Sequence, residues 1–145
     1  MSALDLKIEG LTAGYGDLRI LHDISLAVTP GEAVCIIGRN GMGKTTLLNS
    51  VAGRTVLGAG TLRAGGQDLR PMSRVALARY GIGLVPQERE VFANLTVDEN
   101  LRVADQRGAW TRARVYDLFP RLAERRGNLG AQLSGGEQQM LSIGR

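Results

Sequence analysis

Cysteine, histidine, tryptophan and lysine are scarce in this chain of 145 residues, and each scarcity excludes something. Cys35 is the single cysteine, so no disulfide can form within the chain. Its place inside an apolar run predicts a small, buried core residue, which suits a reducing compartment. His22 is the single histidine and has no metal-ligand partner nearby in the sequence, which predicts a surface or turn position. No apolar run approaches a membrane span. Near the N-terminus stand Asp5 and Glu9 where a signal peptide would carry an apolar core, so the expectation is a cytoplasmic chain. Lys7 and Lys44 are the only lysines, and the net charge of +4 therefore rests on arginine. The arginines are scattered, and only 2 Phe and 1 Trp accompany them, so no nucleic-acid partner is expected. A solvated basic face, or contact with anionic lipid beside a membrane partner, accounts for the charge equally well.

Glycine, by contrast, is abundant. Its 20 occurrences are about twice average usage and gather in loops and turns. The apolar share of 43% with 22% charged residues is that of an ordinary globular domain with a proper core.

The glycines matter most at Gly38-Arg39-Asn40-Gly41-Met42-Gly43-Lys44-Thr45-Thr46, which fits G-x-x-x-x-G-K-[ST]. The run Ala33-Val34-Cys35-Ile36-Ile37 before it predicts a strand buried on both faces. Thr45 to Ala52 after it predicts a helix stopping at Gly53. Glycines let backbone wrap closely round a phosphate, and the N–H groups of loop and helix start then point at the anion. Lys44 adds a cation for the β- and γ-phosphates, and the Thr45 hydroxyl is placed to ligate Mg²⁺. This is read as a nucleotide site.

Along the rest of the chain, alternation predicts a half-buried strand at Leu4–Glu9, then a glycine-punctuated stretch from Gly10 to Gly16. Alternation resumes from Arg19 to Val28, and Pro30-Gly31 turns the chain. A short strand is expected at Thr61–Arg63, a helix over Val75–Arg79 ending at Gly81, and an apolar strand over Ile82–Val85. From Gln87 the pattern becomes helical. Thr96-Val97-Asp98-Glu99 is a capping box, and Thr111–Phe119 predicts a helix with Val115, Leu118 and Phe119 on one side. Leu122 to Arg126 continues as helix until Gly127. The outline is a nucleotide-binding core over residues 1–86, a helical segment over 87–133, and a motif-bearing helix start over 134–145, together one incomplete domain.

That last motif is Leu133-Ser134-Gly135-Gly136-Glu137-Gln138-Gln139. Two compatible readings stay open. Ser134 and Glu137 form a capping box for the helix of Met140, Leu141 and Ile143. Ser134, Gly135 and Gly136 also open their N–H groups to a second anion.

The pair of motifs resembles the ATP-binding subunits of ABC transporters, over essentially the whole chain. Within that family the text is most similar to branched-chain amino-acid importers, through Glu88-Arg89-Glu90-Val91-Phe92, Tyr116 to Leu122, and Gln138-Gln139-Met140-Leu141. The resemblance implies an α/β P-loop fold with an antiparallel N-terminal part and a helical insertion, the C-terminal part of the fold being absent. It implies ATP and Mg²⁺ as ligands. Tyr15 would stack on adenine, though packing on the sheet is its other reading. Gln87 would link the γ-phosphate and Mg²⁺ to the helical segment, its other reading being a polar turn residue after Pro86. The implied partners are membrane-spanning subunits, a second ATP-binding subunit and, indirectly, a solute-binding protein, with the chain peripheral on the inner face of the membrane. The family's later Asp-Glu and histidine do not occur in these residues, so ATP binding without turnover is expected of the chain as written. Urea or another amide as cargo, a soluble ABC ATPase, and a non-catalytic nucleotide-binding fragment remain the alternatives.

Overall fold

A computed structural model describes residues 4–105 and 110–145, which fall into two compact units, 1–84 and 85–145.

The first unit is built on β1 (Leu6–Tyr15), which has neighbours along both edges. β2 (Leu18–Val28) pairs with one edge. β3 (Val56–Leu57) and β4 (Thr61–Ala64) pair with the other, and β5 (Gln67–Asp68) extends the sheet beyond β4. Every pairing is antiparallel. The stretch expected to be irregular after Gly10 is instead the second half of β1. From Ile8↔Leu26 to Leu11↔Ile24, β1 advances by one residue more than β2, with Gly10 in the left-handed region at φ 59°. That bulge switches the parity of the strand, so Ile8, Leu11 and Ala13 all face inward although 8 and 11 differ by an odd number. Alternation in the sequence stops at Glu9 for this reason. The core is closed by Leu21, Leu62, Ala64 and Leu69 from and beside the sheet, and by Leu47 and Leu77 from two helices, α1 (Lys44–Val51) and α2 (Arg74–Tyr80). α1 stops before Gly53, at φ 68°, and α2 stops at Gly81, at φ 109°.

Two expected strands are not strands. Ala33–Ile37 and Ile82–Val85 join no ladder, and among the described residues no strand pairs with them. Ile36 and Ile82 pack on the core, whereas Val34, Val85 and above all Ile37, at 89% exposed, face outward. Cys35 is exposed, not buried. An apolar run supplies a fully buried strand only where neighbours flank both edges and both faces. Here only one face is covered. His22 is exposed, as expected.

The second unit is helical: α3 (Val97–Val103), α4 (Arg112–Leu118), α5 (Pro120–Glu124) and α6 (Gly135–Gly144), with a 3₁₀ turn at Gly130–Gln132. Its core is Val97, Leu101, Val115, Leu122, Leu133 and Leu141. Thr96 and Glu99 form the expected capping box, and Thr111 caps α4. Leu118, expected on the apolar side, is exposed. The chain turns at Phe119 into Pro120, which carries Phe119 to the core and leaves Leu118 outside. Buried Asn100 accepts from Phe92 N–H at 2.9 Å and donates to the carbonyls of Phe92, Leu95 and Thr96, so it organises the entry to α3.

Candidate nucleotide site

Residues 38–46 form a loop opening α1. Gly41 and Gly43 both stand at φ 83°, a conformation that residues with a Cβ rarely adopt. A Cβ at Gly43 would also lie 2.8 Å from Leu21 Cδ2 and so push that side chain aside, but the left-handed backbone is what favours glycine there. The Lys44 ammonium donates to the carbonyl oxygens of Gly38 and Arg39, each at 2.7 Å. This folds the side chain back along its own loop and fixes a positive charge inside the curve. Thr45 is exposed on the first turn, whereas the side chain of Thr46 is buried.

The start of α1 differs from those of the other described helices. α2, α3, α4 and α6 each have a Ser or Thr whose oxygen takes a first-turn N–H. α5 begins with Pro120. α1 has neither device: its N-cap is Gly43, no side chain caps it, and its first turn holds no acidic residue. First-turn N–H groups without a side-chain acceptor, with the positive end of the helix dipole behind them, are suited to an anion from outside. The arrangement fits a phosphate chain, with the exposed Thr45 hydroxyl as an oxygen donor for a metal that the phosphates carry in.

Tyr15 ends β1 with its ring partly exposed, and its hydroxyl accepts from Asn49 Nδ2 at 2.8 Å. Asn49 stands one helical turn beyond Thr45, so Tyr15 is tied to the same helix that opens at the phosphate loop. The sequence offered no sign of this link, because it joins residues 34 apart. A concavity of about 550 Å³ in the same unit, lined by residues such as Ser50, Leu57, Arg70 and Met72, includes none of the loop. Its carboxylate, Asp68, is held down to about 2 by the Arg70 guanidinium.

Gln87 and Ser134–Gly136 belong to the second unit. Gln87 is exposed in the turn after Pro86. Ser134, Gly135 and Gly136 are exposed at the start of α6. Glu137 N–H donates to Ser134 Oγ at 3.3 Å, and Ser134 N–H donates to Glu137 Oε2 at 2.8 Å, closing the capping box. The Glu137 carboxyl is held below its ordinary range chiefly by that backbone N–H, and next by the Ser134 hydroxyl. A side chain at Gly136 would enter open space, whereas one at Gly135 would meet Arg89 Nη2 at 3.0 Å. Arg89 is thus a neighbour of the motif that the sequence pattern left without a role. No group of His, Cys, Asp and Glu among the described residues could hold a metal ion by itself.

A lysine-bearing glycine loop at an uncapped helix start, set on an α/β framework, defines a P-loop nucleotide-binding protein. The chain belongs to the ABC transporter family, whose profile matches residues 21–145. It is 40% identical to the high-affinity branched-chain amino acid transport ATP-binding protein BraG of Pseudomonas aeruginosa, over 97% of this chain and 62% of BraG. It is 35% identical to the sulfate/thiosulfate import ATP-binding protein CysA 2 of Chromobacterium violaceum, over 97% of this chain and 39% of that protein. A solved ATP-binding subunit of an ABC transporter superposes with a TM-score of 0.78 at 28% identity, covering 96% of this chain and 60% of the other. The fold is therefore that of ABC ATPases, and the chain spans 62% or less of the length of these relatives. Among the described residues no helix is long and apolar enough to cross a membrane.

Proposed function

We propose that this chain binds ATP at Gly38–Thr46 as the nucleotide-binding part of an importer's ATPase subunit. The observation that carries the reading is the uncapped start of α1 behind a loop whose lysine is already folded into it. Backbone N–H groups of the loop and first turn hold the phosphates, and Lys44 neutralises their charge. Thr45 would hold the Mg²⁺ that accompanies the nucleotide, a metal that would offset charge on the transferred phosphoryl group, and Gln87 is carried over as a second oxygen donor from the family resemblance alone. Tyr15, held by Asn49, offers a ring face to the adenine. Ser134, Gly135 and Gly136 meet the γ-phosphate held by the P-loop of a second ATP-binding subunit, so that ATP joins the pair.

Import of a branched-chain or related amino acid is the favoured cargo reading, supported by the higher identity to BraG than to the sulfate importer's subunit. It brings membrane-spanning subunits and a solute-binding protein as partners, and a position on the inner face of the membrane.

Calorimetric titration of the chain with ATP tests the site. Lys44→Ala removes a charged donor that contributes about 1.5–3 kcal/mol, so affinity falls roughly ten- to a hundredfold. An unchanged affinity would show that the loop is not the site.

A further inference from the structure

The turn after Gln87 holds two consecutive non-glycine residues in the left-handed region, Arg89 at φ 65° and Glu90 at φ 47°. Such backbone is unfavourable for any residue with a Cβ and persists only where surrounding contacts over-determine it. Those contacts lead to α6. Arg89 Nη1 donates to Gln138 Oε1 at 3.2 Å, on the first turns of that helix. Gln138 is itself oriented, because its Nε2 donates to the Gly130 carbonyl at 3.0 Å and so turns its oxygen toward Arg89. The guanidinium fills the space where Gly135 has no side chain. At the far end of the same helix, Arg145 donates to the Glu90 carbonyl at 2.7 Å and lies 4.4 Å above the Phe92 ring. Phe92 is in turn held through its backbone by buried Asn100.

We infer that Arg89 is a positioning residue that clamps the Gln87 turn to the first turn of α6, so that Gln87 and Ser134–Gly136 move as one piece. The functional meaning rests on reading both as nucleotide contacts; the clamp itself rests on the bonds above. Gly135 is glycine, on this account, to admit the guanidinium as well as to expose its N–H. A displacement imposed at the start of α6 is then transmitted to Gln87 by a short, stiff connection and not through the unit's core.

The test is amide hydrogen exchange of residues 88–92 in the 145-residue chain, with far-UV circular dichroism confirming the fold. Arg89→Gly relieves the left-handed backbone but removes the guanidinium. It is expected to raise exchange at 88–92 about tenfold, the effect of losing one bond to a charged group. Gln138→Ala produces the same rise, and the two together produce no more than either alone. Pairing Arg89→Lys with Gln138→Glu restores protection through a new ion pair. Protection retained in Arg89→Gly would mean that backbone geometry alone sets the turn, and additive effects would mean that the two side chains act separately. Either result overturns the clamp. Failure of the parent chain to bind ATP overturns the nucleotide reading and leaves the exchange result to decide the clamp.

Discussion

α1 and α6 both start behind glycines, and both are read as meeting phosphate, yet their first turns are built in opposite ways. α1 is left without a side-chain cap, behind a left-handed glycine and a lysine. α6 closes its own capping box and leaves only its glycine N–H groups facing out. An uncapped helix start is a cost unless a ligand or water supplies the acceptors. A capped one is stable alone and offers a weaker anion site. On the proposed reading, α1 makes the tight contact within its own unit, and α6 makes a conditional one that a second subunit's nucleotide would complete.

The largest way to break this contrast is Gly43→Ala. It forces an alanine to φ 83° and pushes its Cβ to 2.8 Å from Leu21 Cδ2. Left-handed backbone costs about 1–2 kcal/mol and overpacking about 1–3 kcal/mol more. A lowered urea midpoint together with lost ATP affinity is expected. A variant that kept both would show that α1 does not need its glycine start.

Next comes Gly135→Asp, studied in a subunit that spans the full length of the curated relatives. Its Cβ would meet Arg89 Nη2 at 3.0 Å, and its carboxylate adds negative charge at the α6 start. ATP affinity of the monomer is expected to survive, while ATP-dependent pairing measured by light scattering disappears. Pairing that persists would remove Ser134–Gly136 from the nucleotide contacts.

Ser134→Ala is smaller. It opens the capping box and is expected to cost about 1 kcal/mol in urea unfolding followed by far-UV circular dichroism, with P-loop affinity for ATP unaltered. A drop in that affinity would contradict the separation of the two helix starts.

The smallest effect is pH dependence. Glu99 and Glu137, the acids of the two capping boxes, are both held below the ordinary value of 4.5, chiefly by backbone N–H groups of Thr96 and Ser134. A depressed carboxyl contributes stability that is present above the unfolded-chain value and is lost as pH falls through the folded value. Thermal melts between pH 6 and roughly pH 3 should therefore show a decline that begins near the ordinary carboxylate value and is reduced in Glu137→Gln. A decline of equal size in that variant would place the proton linkage elsewhere.

Much of the fold was legible wherever local chemistry decides. Capping boxes at Thr96 and Ser134, the stops at Gly53 and Gly81, and the loop before α1 are short-range patterns whose hydrogen bonds close within a few residues. Where the chain's own neighbours decide, legibility failed. The continuation of β1 past Gly10 depends on a bulge that resets which residues face the core, and strict alternation cannot register it. Leu118 is apolar at helical spacing, yet the turn into Pro120 leaves it outside.

By itself the sequence carries the phosphate-loop pattern, whose glycines, lysine and hydroxyl must stand at fixed spacing. It also determined the family, through two such spacings in order. Tertiary structure alone decided that Ala33–Ile37 and Ile82–Val85 lie with one face covered and no ladder partner, since burial belongs to what surrounds a segment and not to its composition. It alone tied Tyr15 to Asn49 and Arg89 to Gln138, pairs 34 and 49 residues apart. Contacts at that separation follow from how helices and strands pack, and no local pattern in the chain encodes them.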